Sequence, residues 1–129
     1  MNKILVEVSV GELLDKISIL EIKQVKIKDR DKLKFINEEH SILKSQIDQN
    51  VNSDKKLNDL FQALKEINSR LWIIEDNKRL CEKKSDFTEN FIKLSRDVHF
   101  LNDNRAKIKL EINNHTGSKI KEIKEYTNY

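Results

Sequence analysis

Apolar side chains alternate with others over residues 4–10, Ile4, Val6, Val8 and Val10 against Leu5, Glu7 and Ser9. This period of two predicts a short N-terminal β-strand. A lone strand leaves its backbone unpaired, so it needs a partner: the tail EYTNY, or the same strand in a second subunit. At Ser9 the period changes. Ser9 and Glu12 have the spacing of a capping box, and Val8 and Leu13 that of a hydrophobic staple, so the first helix is expected to begin there and run to about residue 28. On a helical wheel Leu13, Ile17, Leu20 and Ile27 share one face, Leu14 and Val25 lie beside it, and Ile19 and Ile22 fall on the far sides. A helix apolar nearly all round belongs in the middle of an assembly.

Leu33, Ile36, His40, Leu43 and Ile47 continue at three- and four-residue steps, but out of phase with the first helix, so a break is expected near Asp29 to Asp31. DQNVNSD, residues 48–54, has the composition of a loop joining antiparallel helices. A heptad stripe of the coiled-coil kind follows: Leu57, Leu60, Leu64, Ile67, Leu71, Ile74, Lys78 and Cys81. KKSDFTE interrupts it, with Asp86 and Glu89 offering a new N-terminal cap. Phe91, Leu94, Val98, Leu101, Arg105, Ile108 and Ile112 form the last long stripe, Gly117 is its expected stop, and Ser118 would open a short tail helix holding Ile120 and Ile123. The pattern predicts a mainly all-α chain, one domain over residues 1–129, built as an elongated antiparallel bundle of about four helices with a short N-terminal β-strand. Two or three long helices do not cover the first on every side, so a homodimer is expected, with Leu13, Ile17, Leu20 and Trp72 as candidate interface residues.

Composition agrees: 36% of residues are charged, proline is absent and glycine occurs twice, which suits long helices better than a many-turned sheet. The net charge of +3 comes from basic and acidic residues interleaved along the chain, without the clustered basic face that nucleic-acid binding needs. The single cysteine, Cys81, allows no intrachain disulfide and sits on an apolar stripe, where a thiol acts as a small hydrophobe. The early apolar run is cut by Glu7 and no run approaches a membrane span, so the expected setting is cytoplasmic, with no membrane partner.

No GxGxxG, GxxxxGK, HExxH or CxxC motif occurs, and His40, His99 and His115 lack metal-ligand spacing, so no metal or cofactor is expected. The informative residues are the polar ones that interrupt apolar stripes, because burying an unpaired charge costs several kcal/mol. Glu21 and Gln24 fall among the apolar residues of the first helix, Lys78 interrupts the third stripe and Arg105 the last. Two readings follow. In one, a buried acid and Arg105 form an ion pair that fixes helix register. In the other, Asp15, Glu21, Lys23, Arg96 and Arg105 line a polar pocket between the first and last long helices, with the arginines holding an anion and an acid acting as acid or base. Gly11, in a first helical turn where glycine is unfavourable, marks a close backbone approach, from a second subunit or from an anion at the helix N-terminus.

The stretches ILVEVSVGELLDKISILEIK, LWIIED and VHFLNDNRAKIKLEIN, then GSKI, resemble a family of short bacterial and phage-borne helical proteins known only as a domain of unknown function. The resemblance covers nearly the whole chain and implies a stand-alone domain, without naming an activity, cofactor or catalytic residue. It includes Glu12, Asp15, Lys16, Glu21, Lys23, Trp72, Glu75, Asp76, Asn102, Asp103 and Arg105. The leading expectation is a non-enzymatic, dimeric interaction or accessory protein. The alternative is a small helical-bundle enzyme or binder for an anionic metabolite.

Overall fold

A computed structural model describes residues 1–129 and contains four helices: α1 (Val10–Lys26), α2 (Arg30–Asn50), α3 (Lys55–Lys84) and α4 (Glu89–Thr116). The expected break after the first helix is present. Asp29 caps α2, its Oδ1 accepting from the backbone N–H groups of Asp31 and Lys32 at 2.9 and 3.1 Å. The loop between α2 and α3 is shorter than the sequence suggests, since α2 runs through Asp48 to Asn50 and residues 51–54 alone make the turn. Asp54 caps α3 through the Leu57 N–H. Gly117 ends α4 with φ of 68°, in the left-handed region expected of a C-terminal stop.

α1 is the centre of the bundle. It packs on α2, α3 and α4, α3 also packs on α4, and α2 closely approaches only α1. Contacts such as Gln24 to Asn37, Cys81 to Asn90 and Gly11 to Asn113 set α2 antiparallel to α1, and α4 antiparallel to both α3 and α1. Leu14, Ile17, Ile47, Leu57, Leu64 and Ile112 form the buried cluster, drawn from all four helices. α1 is therefore covered by its own chain. Ile17 and Leu20, expected at an interface between copies, are buried inside the single chain, Leu13 packs against the core cluster, and Trp72 is half-buried.

α3 and α4, with 30 and 28 residues, are about 45 and 42 Å long, against about 25 Å for the 17 residues of α1. Their joined ends thus reach beyond the cover of α1 as a two-helix arm. Cys81 is buried there, whereas Ile73, Leu80, Phe87 and Ile92 are each half-exposed or more. At the arm's end Phe87 stacks edge-on against Phe91, and the Lys78 ammonium lies 5.9 Å from the Phe91 ring. That contact accounts for a lysine on an apolar stripe.

Two expected elements are absent. The N-terminal β-strand does not form: residues 1–9 carry no regular structure and residues 1–8 take part in no backbone hydrogen bond. The physical reason is the missing partner, because the tail that could have paired with it lies along α4. There Glu122 meets Lys109 at 3.1 Å, and the Tyr129 hydroxyl donates to Asp103. The short tail helix after Ser118 is not formed either. The capping box is half made: Ser9 Oγ accepts from the Glu12 N–H at 3.0 Å, but the Glu12 carboxylate turns to Lys109, 2.7 Å away, where a full charge is the stronger partner. Asp86 is not the cap of α4. Thr88 holds that position, and Asp86 accepts from the Thr88 N–H and hydroxyl in a turn.

Candidate functional site

The polar centre of the molecule lies where α1 crosses α3 and α4. On α1 the residues Gly11, Asp15 and Ser18 rise at steps of four and three, and on α4 Arg105, Lys109 and Asn113 rise at steps of four, so each set forms one ridge. Run antiparallel, the ridges meet in register. Asn113 Oδ1 accepts from the Gly11 N–H at 2.7 Å, Lys109 reaches Glu12, and Arg105 reaches Asp15.

Asp15 is 2% exposed. Its Oδ1 accepts from Arg105 Nε at 3.0 Å and from Asn68 Nδ2 at 2.8 Å, its Oδ2 accepts from the other arm of the guanidinium, and Lys109 Nζ stands 3.7 Å from Oδ2. Asn68 Nδ2 also donates to Ser18 Oγ at 2.7 Å, and Ser18 in turn donates to the Asp15 carbonyl at 2.7 Å. Burial pushes the Asp15 carboxyl upward. The hydrogen bonds from Arg105 and Asn68 and the charges of Arg105 and Lys109 outweigh it, so the group is held below the usual carboxylate range. Hydrogen bonding to Asp15 raises Arg105. For Lys109 burial acts to lower the pKa, but Glu12, Asp15 and Glu122 around it raise it overall.

Glu21 forms a second, smaller junction. One carboxylate oxygen meets His40 of α2 at 3.1 Å and the other meets Lys65 of α3 at 3.0 Å. Burial acts to raise its pKa, and the bonds and charges of His40 and Lys65 lower it below the ordinary value. Of the five residues expected to line a pocket, two come together, Asp15 and Arg105. Glu21 pairs elsewhere, Lys23 is half-buried on α1 without an ion pair, and Arg96 is exposed on the arm, its guanidinium 6.0 Å from the Phe100 ring.

Because both carboxyls are depressed, their stabilisation is complete above the unfolded values of 3.8 for Asp and 4.5 for Glu and is lost as pH falls through the lower folded values. Acid denaturation is expected to set in below about pH 4. Denaturant titrations across pH check this: an Asp15→Asn protein should lose less stability on acidification than the wild type. Parallel curves would remove Asp15 from the account.

Asn68, Lys109, Ser18 and Asn113 were missed in the sequence because each follows a stripe residue by one position. A helix packed on two neighbours buries a wider face than one stripe. The four-residue spacing of Arg105, Lys109 and Asn113 was the legible signal.

What the node can do chemically is narrow. The Asp15 oxygens are occupied by fixed donors, and no buried side-chain nitrogen or oxygen lacks a partner. No group of three or more His, Cys, Asp or Glu side chains is placed to hold a metal ion. Beside the node, a cleft of about 550 Å³ opens between α1, α3 and α4, with Ile19, Ile22 and Trp72 as apolar wall, Asp76 and Arg79 at the rim, and Arg105 at the node side. Arg79 pairs with Glu75, 3.2 Å away on its own helix.

One family model matches residues 4–129, and its description is a family of unknown function. Neither the curated proteins nor the solved structures give a match.

Proposed function

The chain belongs to the DUF6165 family, whose description carries no activity, and we propose that it works as a self-associating helical interaction module and not through catalysis of its own. The observation that carries the reading is where charge and apolar surface have gone. Inside, Asp15 pairs with Arg105, Lys109 with Glu12, and Glu21 with His40 and Lys65, and these pairs fix how four helices meet. Outside, after the bundle has filled its core, Ile73, Leu80, Phe87 and Ile92 on the arm and Ile4, Leu5 and Val6 at the N-terminus still face solvent. Exposed apolar residues grouped on a projecting element fit a surface that docks on protein. No helix is long and apolar enough to cross a membrane.

Light scattering at micromolar concentration tests this. The expected mass is twice the 15.3 kDa of one chain. A single-chain mass would end the self-association reading.

The cleft beside Trp72 supports a second reading, a binder or small enzyme for an anionic metabolite, because Arg79 and the exposed edge of Arg105 border it. Trp72 is the sole tryptophan and lines the cleft, so its fluorescence reports occupancy. Titration with phosphate and dicarboxylates to millimolar levels is expected to leave the emission unchanged. Saturable quenching, lost in Arg105→Met, would favour the second reading.

A further inference from the structure

The N-terminal segment is the part of the molecule whose chemistry the fold leaves unused. Residues 1–8 make no backbone hydrogen bond, and Ile4, Leu5 and Val6 are 90%, 88% and 75% exposed. Unpaired backbone beside alternating β-branched residues is a template for strand addition. The sequence offers two partners, the tail and a second copy of the same strand. The tail is accounted for, tied along α4 by Glu122 to Lys109 and by Tyr129 to Asp103.

We propose that residues 2–8 pair antiparallel with the same residues of a second copy of this chain, about a two-fold axis at Leu5. This rests on the reading that the chain self-associates, and it names the surface. Charge selects the register. With Leu5 opposite Leu5, Lys3 of each strand stands opposite Glu7 of the other, giving two cross-strand ion pairs. Ile4 then stands opposite Val6, so apolar residues meet on the other face of the ribbon. Shifting the axis to Ile4 or Val6 puts Glu7 opposite Met1 or Leu5 and loses both ion pairs, and a parallel pairing in register sets like charges together.

A two-stranded ribbon alone is marginal in water and needs an apolar surface to rest on. The structure supplies one. The segment borders a groove of about 850 Å³ walled by the end of α2 and the end of α4, with Ile47, Val51 and Ile120 among its lining. Val6 and Val8, from the apolar face of the ribbon, already line that groove beside Val10 at the start of α1. The capping turn, in which Ser9 Oγ accepts from the Glu12 N–H, and the Val10 N–H bond to Ser118 Oγ at 3.2 Å fix where the strand leaves the bundle.

The test is the dimer dissociation constant of the full chain by sedimentation equilibrium at low salt, with circular dichroism confirming unchanged helix content. Val6→Asp, which sets a charge among apolar residues, is expected to weaken the dimer at least tenfold. Lys3→Glu and Glu7→Lys alone should each weaken it several-fold by opposing like charges, and the double variant Lys3→Glu/Glu7→Lys should restore it to near the wild-type value. A dimer indifferent to Val6→Asp and to both single swaps overturns strand pairing while leaving self-association intact. Loss in the single swaps without restoration in the double overturns the Leu5 register. A wild-type monomer overturns both the strand pairing and the self-association reading.

Discussion

Arg105→Met is expected to lower the stability of the fold by about 3 kcal/mol, near the lower end of what breaking a buried ion pair costs. The substitution leaves the Asp15 carboxylate 2% exposed with Asn68 and a more distant Lys109 as its remaining partners. Lys109 at 3.7 Å, and the solvent already reaching a 28%-exposed Arg105 side chain, keep the loss from being larger. Asp15→Asn/Arg105→Met should recover most of it, because a neutral side chain in the same place no longer needs the guanidinium, while Asn68 keeps Ser18 as an acceptor. Chemical denaturation of the wild type, both single variants and the double measures the coupling directly. Additive losses would mean that Asp15 and Arg105 do not act as a pair. An Arg105→Met protein as stable as the wild type, but no longer retaining an anion, would instead support the pocket.

The elements that were legible in the sequence are those whose cause is local. The stripe from Leu57 to Cys81 encodes α3, Asp29 and Asp54 mark helix starts, Gly117 marks a stop, and α1, apolar nearly all round, lies at the centre of the bundle. What failed depended on a partner. Ile4 to Val10 has strand alternation, yet nothing in the chain pairs with it, so local pattern did not become structure. The extent of cover over α1 was not legible in the sequence for a related reason. Stripes give one face per helix, while α3 and α4 each bury a second flank through Asn68, Lys109 and Asn113. The same geometry decided the candidate site: Arg105 could be recognised as a polar residue on an apolar stripe and Asp15 as a candidate acid, but whether they lined a space or filled it depended on where Asn68 and Lys109 stood.

Gly11→Ala is the second substitution with a large expected effect, and it separates two opposed physical contributions. In an ordinary helix the change would stabilise by up to about 1 kcal/mol, since alanine is the better helix former. Here a Cβ on residue 11 would lie 2.6 Å from the Lys109 carbonyl oxygen and 3.0 Å from Asn113 Oδ1, the atom that accepts from the Gly11 N–H. The first of these is backbone and has no rotamer to escape into, so α4 has to draw back from α1. That movement strains the Gly11–Asn113 hydrogen bond and the contacts of Lys109 and Arg105 with the acids of α1 together. Overpacking of this kind costs about 1–3 kcal/mol, and the net expectation is a loss of about 2 kcal/mol, or roughly 5–10 °C in the unfolding midpoint for a chain of this size. Gly117→Ala is the control. Its φ of 68° makes alanine strained, but nothing lies within 4 Å of the added carbon, so its loss should stay near the left-handed backbone cost of about 1 kcal/mol. The close approach predicted at Gly11 from helix propensity is therefore made by α4 of the same chain. Thermal unfolding that shows Gly11→Ala to be as stable as the wild type would break this account of how α1 and α4 are seated, and with it the register in which Asp15 meets Arg105.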